Sequence, residues 1–148
     1  MGRRFAVVST YADRGINLPK RKTSGSAGYD LESAATIKVG PGETVLVPTG
    51  LKAYMEQDEV LQVFIRSSLS IKYGLRLANG TGIIDADYVD NPDNEGHILL
   101  AVWNNSPQEV TIEKGQAIAQ GIFLKYLTID EDAASGRRIG GFGSTDRK

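Results

Sequence analysis

The run HILLAVWNNSPQEVTIEKGQAIAQGIFLKY, residues 97–126, decides the fold class. HILLAVWN (97–104), EVTIEKG (109–115) and QAIAQGIFLKY (116–126) are short and rich in Val, Ile, Leu and aromatic residues, with the periodicity of strands. NNSPQE (104–109), between the first two, has turn composition. Working outward, ETVLVP (43–48) and VLQVFIR (60–66) repeat the pattern, and GPGE (40–43) is another turn. Only SSLSIKYG (67–74) looks helical, with Ser67 as the expected N-cap and Gly74 as the stop. Many short strands with a single short helix predict an all-β fold: sandwich, jelly roll or barrel. DEDAASGRRIGG (130–141) changes character, from acidic to basic and Gly-rich. The expected organisation is a β domain over 1–129, then a flexible linker and C-terminal arm over 130–148.

Composition narrows the chemistry. A chain of 148 residues with 41% hydrophobic and 24% charged content reads as one ordinary globular domain. A net charge of −1 supplies no bulk positive field, so stable nucleic-acid binding is not expected. The short basic clusters at Lys20–Lys22 and Arg137–Arg138 suit a small anion, or are solvated surface charge. With no cysteine, disulfides, thiolate nucleophiles and Cys-ligated zinc are excluded. One histidine, His97, excludes His-pair zinc sites and leaves either a lone base or a structural residue. No apolar run approaches the roughly 20 residues of a membrane span, and no leader pattern is present, so a cytoplasmic protein without membrane attachment is expected.

Four polar or glycine-rich stretches interrupt the β pattern. SAGYDL (26–31) offers Asp30 beside a small-residue turn, or simply leads into a strand. RSSLS (66–70) sets an arginine and two hydroxyls where a strand meets a helix; these groups favour phosphate oxygens, or only cap a surface helix. NGTGIIDADY (79–88) predicts a tight hairpin with exposed backbone groups, followed by Asp85, Asp87 and Tyr88. On an alternating strand the two carboxylates share a face opposite Tyr88, and one carboxylate can orient a water as general base. The ending RRIGGFGSTDRK (137–148) combines a glycine nest, the hydroxyls of Ser144 and Thr145, arginine charge and the flat face of Phe142. Bases stack on such faces for about 1–3 kcal/mol each. Together the stretches describe a site for a phosphorylated nucleoside, without a Walker or Rossmann fingerprint.

In this order AGYDL (27–31), RSSLS (66–70), GIIDADY (82–88), GQAIAQ (115–120) and GGFGST (140–145) resemble the five motifs of the trimeric all-β dUTPases, deoxyuridine triphosphate nucleotidohydrolases, over nearly the whole chain. The resemblance implies a distorted jelly roll and Mg²⁺-dependent hydrolysis of dUTP to dUMP and pyrophosphate, which keeps uracil out of DNA and supplies dUMP. It implies that Asp85 orients the attacking water and that Tyr88 packs under the deoxyribose. Asn79 and the backbone around Gly82 would pair with uracil. Arg66, Ser67, Ser68 and Gln120 would hold phosphates, and Asp30 would meet the metal only through water. Arg137, Phe142, Ser144 and Thr145 would form a lid. A homotrimer with shared sites follows from the same resemblance, the arm usually reaching a neighbour.

Three departures stand out. VDNPDNEGH (89–97) is longer than the usual glycine turn after the tyrosine; Arg138 and Asp146 occupy positions where glycine is common. Two rivals share the fold by resemblance. A dCTP deaminase is expected to carry a catalytic glutamate and to lack the Gly-Phe-Gly tail, and a nucleotide-binding regulatory module would bind without turnover.

Overall fold

The computed structural model describes residues 2–141. In chain order it contains β1 (Arg4–Val7), β2 (Tyr29–Glu32), β3 (Ile37–Val39), β4 (Thr44–Pro48), β5 (Leu51–Tyr54), β6 (Glu59–Ile65), α1 (Ser67–Tyr73), β7 (Leu75–Leu77), β8 (Gly82–Asp85), β9 (Leu99–Asn104), β10 (Val110–Ile112) and β11 (Ala117–Lys125). The expected strands and the single short helix are present, in the all-β, jelly-roll-like fold expected. The sheets run β2-β11-β6-β8, β4-β9-β7, β1-β5 and β10-β3, with every pair antiparallel. Burial alternates along β9, where Leu100, Val102 and Asn104 point inward, as period-2 side-chain direction requires. These meet Leu31, Leu61 and Ile118 from the four-stranded sheet in one core. Among the described residues no helix is long and apolar enough to cross a membrane.

Two local expectations are corrected. Ser67 is the first helical residue, not the N-cap: extended Arg66 (φ −70°, ψ 138°) holds that place, and its carbonyl accepts from the N–H groups of Leu69 and Ser70. The hydroxyls of Ser67 and Ser68 sit on exposed residues and cap nothing. The NGTG turn does not close a hairpin either. Strand β7 pairs with β9 while β8 pairs with β6, so the turn carries the chain from one sheet to another. Leu75 and Leu77 are buried beside β9, and that burial outweighs the local hairpin preference.

Asn104 joins two sheets. It is fully buried; its Nδ2 donates to the carbonyls of Val39 (2.9 Å) and Gln108 (2.7 Å), and its Oδ1 accepts from Ser106 N–H (3.0 Å). His97 has a comparable structural task, its Nε2 accepting from Gly50 N–H at 2.8 Å. Burial holds its pKa below the usual histidine value, against the pull of Glu95, so the neutral acceptor form is favoured.

The 89–97 loop is fastened to β5 and to the end of β1. Lys52 Nζ reaches Asp90 (2.7 Å) and Glu95 (2.8 Å), Tyr54 Oη donates to Asp90 (2.7 Å), and Ser9 donates its N–H and hydroxyl to Glu95. Hydrogen bonds from Lys52 and then Ser9 lower the Glu95 carboxyl from 4.5 to about 2. Burial opposes the Lys52 charge, but the bonds to Asp90 and Glu95 outweigh it and its pKa rises.

Asn104→Ala removes three buried or part-buried hydrogen bonds, to Val39, Gln108 and Ser106, and is expected to cost at least ~2 kcal/mol in denaturant unfolding; an unchanged midpoint would contradict the role given to this side chain. The depressed Glu95 pKa contributes stability that is complete above pH 4.5 and is lost as pH falls toward about 2. Glu95→Gln should therefore lower the melting temperature near neutral pH, and the gap to the parent should close on acidification through that window. A gap that stays constant with pH would show that the charge plays no part.

Candidate active site

The best-formed cavity beside chemistry-bearing residues opens along the free side of β8. This strand pairs with β6 on one side only, so its other edge offers backbone N–H and C=O groups to a ligand. The cavity is about 180 Å³, and its lining includes Val63, Leu77, Asn79, Gly82, Asp85 and Tyr88. Asn79 stands in the sheet-changing turn, whose N–H groups at Gly80 and Thr81 bond back to Leu77 and Asn79. An apolar floor, an open strand edge and a few polar groups at the rim suit a flat polar ring.

Asp85 ends β8 and turns the chain: Tyr88 N–H donates to the Asp85 carbonyl at 3.1 Å. A turn, rather than the continued strand on which the expected facing depends, follows Asp85. The carboxylates of Asp85 and Asp87 are exposed while Tyr88 is only 6% exposed. The Tyr88 hydroxyl is satisfied twice, donating to the His97 carbonyl (2.7 Å) and accepting from Asn94 Nδ2 (2.8 Å). Burial raises its pKa, so the phenol stays protonated.

Residues 138–141 lie against this same chain's cavity. Arg138 Nη2 contacts Asp85 Oδ2 at 2.6 Å and its Nε contacts Asp87 Oδ1 at 2.7 Å, one guanidinium bridging two carboxylates. Gly141 lies against the Tyr88 ring so closely that a Cβ there would come within 2.6 Å of Cε1. Only glycine permits this approach. Arg137 is exposed and meets a shallower hollow beside Asp87 and Asp90. Thus the arm arginine at the carboxylate is Arg138, a contact the sequence did not indicate. Phe142, Ser144 and Thr145 lie outside the described residues.

The remaining candidates gather elsewhere. Gln120 on β11 stands opposite Asp30 on β2, and Arg66 N–H donates to the Ile118 carbonyl, which puts Arg66, Ser67 and Ser68 at the same end of the sheet. Asp30 lies 4.0 Å from Lys22. Asp85, by contrast, pairs with Val60, six residues before Arg66 along β6. At about 3.3 Å per residue the two groups are ~20 Å apart. Asn79, Gly82, Asp85 and Tyr88 are therefore brought together, and Arg66, Ser67, Ser68, Gln120 and Asp30 form a second set.

Sequence reasoning passed over Asn91 and Asn94. The signal was available: N-P-D-N is the composition of an Asx turn, and buried Asn91 accepts at Oδ1 from the N–H groups of Asp93 (2.9 Å) and Asn94 (3.1 Å). Arg138 was visible as an arginine in place of glycine, but its partner was not.

Comparison with known proteins gives one answer. The dUTPase family model matches residues 14–146. A deoxyuridine 5'-triphosphate nucleotidohydrolase of Lactococcus lactis is 52% identical over 145 residues, covering 97% of each chain. The crystal structure of a dUTPase from Streptococcus mutans matches with a TM-score of 0.81 at 47% identity, over 86% of this chain and 98% of that one. A dUTPase from phage phi11 of S. aureus shares the fold, with a TM-score of 0.73 at 20% identity, over 92% of this chain and 98% of that one. A family match spanning both residue sets, and the arm that docks on one of them, makes this chain a member of the dUTPase family.

Proposed function

We propose that this protein hydrolyses dUTP to dUMP and pyrophosphate. The observation that carries the reading is Asp85: a half-exposed carboxylate at the end of an open strand edge, with a buried aromatic wall three residues on. The edge backbone near Gly82, with Asn79, recognises the uracil ring. The Tyr88 ring lies under the sugar, where a ribose 2′-hydroxyl has no room. Asp85 accepts a hydrogen bond from a water and directs its oxygen at the α-phosphorus. The bond from that phosphorus to its bridging oxygen breaks, and pyrophosphate leaves. Arg66, Ser67, Ser68 and Gln120 hold the triphosphate and offset its growing charge.

Divalent metal fits this donor set in one way. Among the described residues no group of three or more His, Asp or Glu side chains is placed to hold an ion. Mg²⁺ commonly keeps several waters and takes its remaining ligands from substrate phosphates. Asp30, beside Gln120, would hold such a water shell. When bound, the ion would neutralise triphosphate charge. The phi11 relative of like fold coordinates a structural Mg(II) ion.

Asp85 stands ~20 Å from Arg66 along β6, although Gly82 and Gln120 flank the neighbouring β6 residues Val63 and Phe64. We therefore assign each site to more than one subunit of a homotrimer, the Asp85–Tyr88 wall from one copy facing the Arg66–Gln120 set of another. In the arrangement described, Arg138 engages Asp85 from the same chain. Substrate entry requires residues 138–141 to lift from the cavity, and the arm, with Arg137, Phe142, Ser144 and Thr145, closes again over the bound nucleotide. Residues 1–129 then act as the β domain, and 130–148 as linker and lid.

Asp85→Asn keeps size and most hydrogen bonding but loses the acceptor carboxylate, and kcat should fall ~10²-fold or more while dUTP still binds. Turnover at the parent rate would remove Asp85 from the mechanism. Site sharing is checked by mixing Asp85→Asn with Arg66→Ala protein under conditions that exchange subunits. Each parent should be nearly inactive, and mixed trimers should recover dUTP hydrolysis, because some sites receive both intact residues. Verified mixed trimers that stay inactive would place the whole site in one chain.

A further inference from the structure

Tyr88 is gripped at both ends by a loop that takes no part in the chemistry. Asn91 Nδ2 donates to the Tyr88 carbonyl at 2.7 Å, and Asn94 Nδ2 donates to the Tyr88 hydroxyl at 2.8 Å. The two asparagines are joined, Asn91 Nδ2 to Asn94 Oδ1 at 2.8 Å, and Asn94 Oδ1 also accepts from Gly96 N–H at 3.0 Å. Asn91 is buried with its amide fully used. Gly96 (φ +84°) closes the loop where a Cβ would come within 2.6 Å of Val89 Cα. The Lys52 and Ser9 bonds to Asp90 and Glu95 then fix the whole loop to β5 and the end of β1.

A steric wall excludes an extra hydroxyl only if it cannot recede. An aromatic ring held by packing alone can tilt by a fraction of an ångström, and that is enough to admit a 2′-oxygen at modest cost. A ring whose hydroxyl donates to one fixed group and accepts from another cannot tilt without breaking a part-buried hydrogen bond. Gly141 of the arm lies against the Tyr88 ring, and the polar contacts that stiffen the ring come from this loop.

We propose that the 89–97 loop sets the sugar preference of the site, with Asn94 as a positioning residue that acts through the Tyr88 hydroxyl to keep the ring hard against the deoxyribose. The inference rests on the placement of Tyr88 given under Proposed function. Its range is the discrimination between deoxyribo- and ribonucleotide, not the rate of the chemical step on dUTP.

The experiment measures kcat/KM for dUTP and for UTP in the full-length protein, with Mg²⁺, for the parent, Tyr88→Ala, Tyr88→Phe, Asn94→Ala and the Tyr88→Phe/Asn94→Ala double variant. Asn104→Ala serves as a destabilised control remote from Tyr88. Asn94→Ala and Tyr88→Phe should each lower the dUTP/UTP ratio by about 3–10-fold, the scale of one hydrogen bond, mainly through a gain on UTP. The double variant should fall no further than Tyr88→Phe, because Asn94 then has no hydroxyl to hold. Asn104→Ala should lose stability and keep its ratio. Should Asn94→Ala fold poorly, Tyr88→Phe alone decides, since it leaves every bond within the loop in place. If Tyr88→Ala loses discrimination while Tyr88→Phe and Asn94→Ala keep the full ratio, the loop proposal is overturned and the Tyr88 placement stands. If Tyr88→Ala keeps the parent ratio, the placement fails and the proposal with it. A parent protein inactive on dUTP would overturn the proposed reaction itself.

Discussion

The long antiparallel pairing of β6 with β11, from Ala119 opposite Ile65 to Lys125 opposite Glu59, is the constraint on which the rest of this structure depends. Its register is held by the core: Leu61 and Val63 are buried from β6, Ile118 and Ala119 from β11, and a slip of one residue would turn these faces to water. Once that register is set, β2 and β8 add on either side and the positions of all polar groups follow. Gln120 must face Asp30 across one edge, and Asp85 must stand opposite Val60 at the far end of β6.

This geometry divides the chemistry before any ligand arrives. Arg66, Ser67 and Ser68 gather where β6 becomes α1, and Asp85 and Tyr88 gather where β8 turns. The seven-residue β6 is a rigid spacer, so no side-chain motion closes the distance between Asp85 and Arg66. In the homotrimer proposed above, rigid docking of copies does so without a flexible core. The arm is suited to bridging gaps, since no strand or helix occupies residues 126–141.

Around Asp85, the polar contacts of Tyr88 matter more than its burial. A buried phenol without partners would destabilise the fold, and one with partners becomes a fixed wall. The same stretch of chain supplies the Asp85 carboxylate, the turn, the ring and the loop behind it. Arg138 adds a neutralising contact across Asp85 and Asp87, which keeps two like charges two residues apart in sequence from repelling each other in the closed arrangement.

Much of this was legible in the amino-acid order. Strand after strand of Val, Ile and Leu broken by Gly, Pro and Asn determined an all-β fold with one short helix, because period-2 burial and turn chemistry are local properties. The motif residues Asp85, Tyr88, Arg66 and Gln120 were legible for a similar reason: their spacing is carried by contiguous segments. The helix cap at Arg66 and the sheet-changing turn at Asn79–Gly82 were not: Arg66 N–H is taken by the Ile118 carbonyl of β11, and the Asn-Gly hairpin preference yields to the burial of Leu75 and Leu77 against β9. Only the tertiary structure decided which arm arginine meets Asp85, that Asn94 and His97 hold the Tyr88 hydroxyl, and that the two halves of the site stand apart. Each of these depends on contacts between segments distant in sequence or on the path of a loop, and single-sequence periodicity contains no record of either.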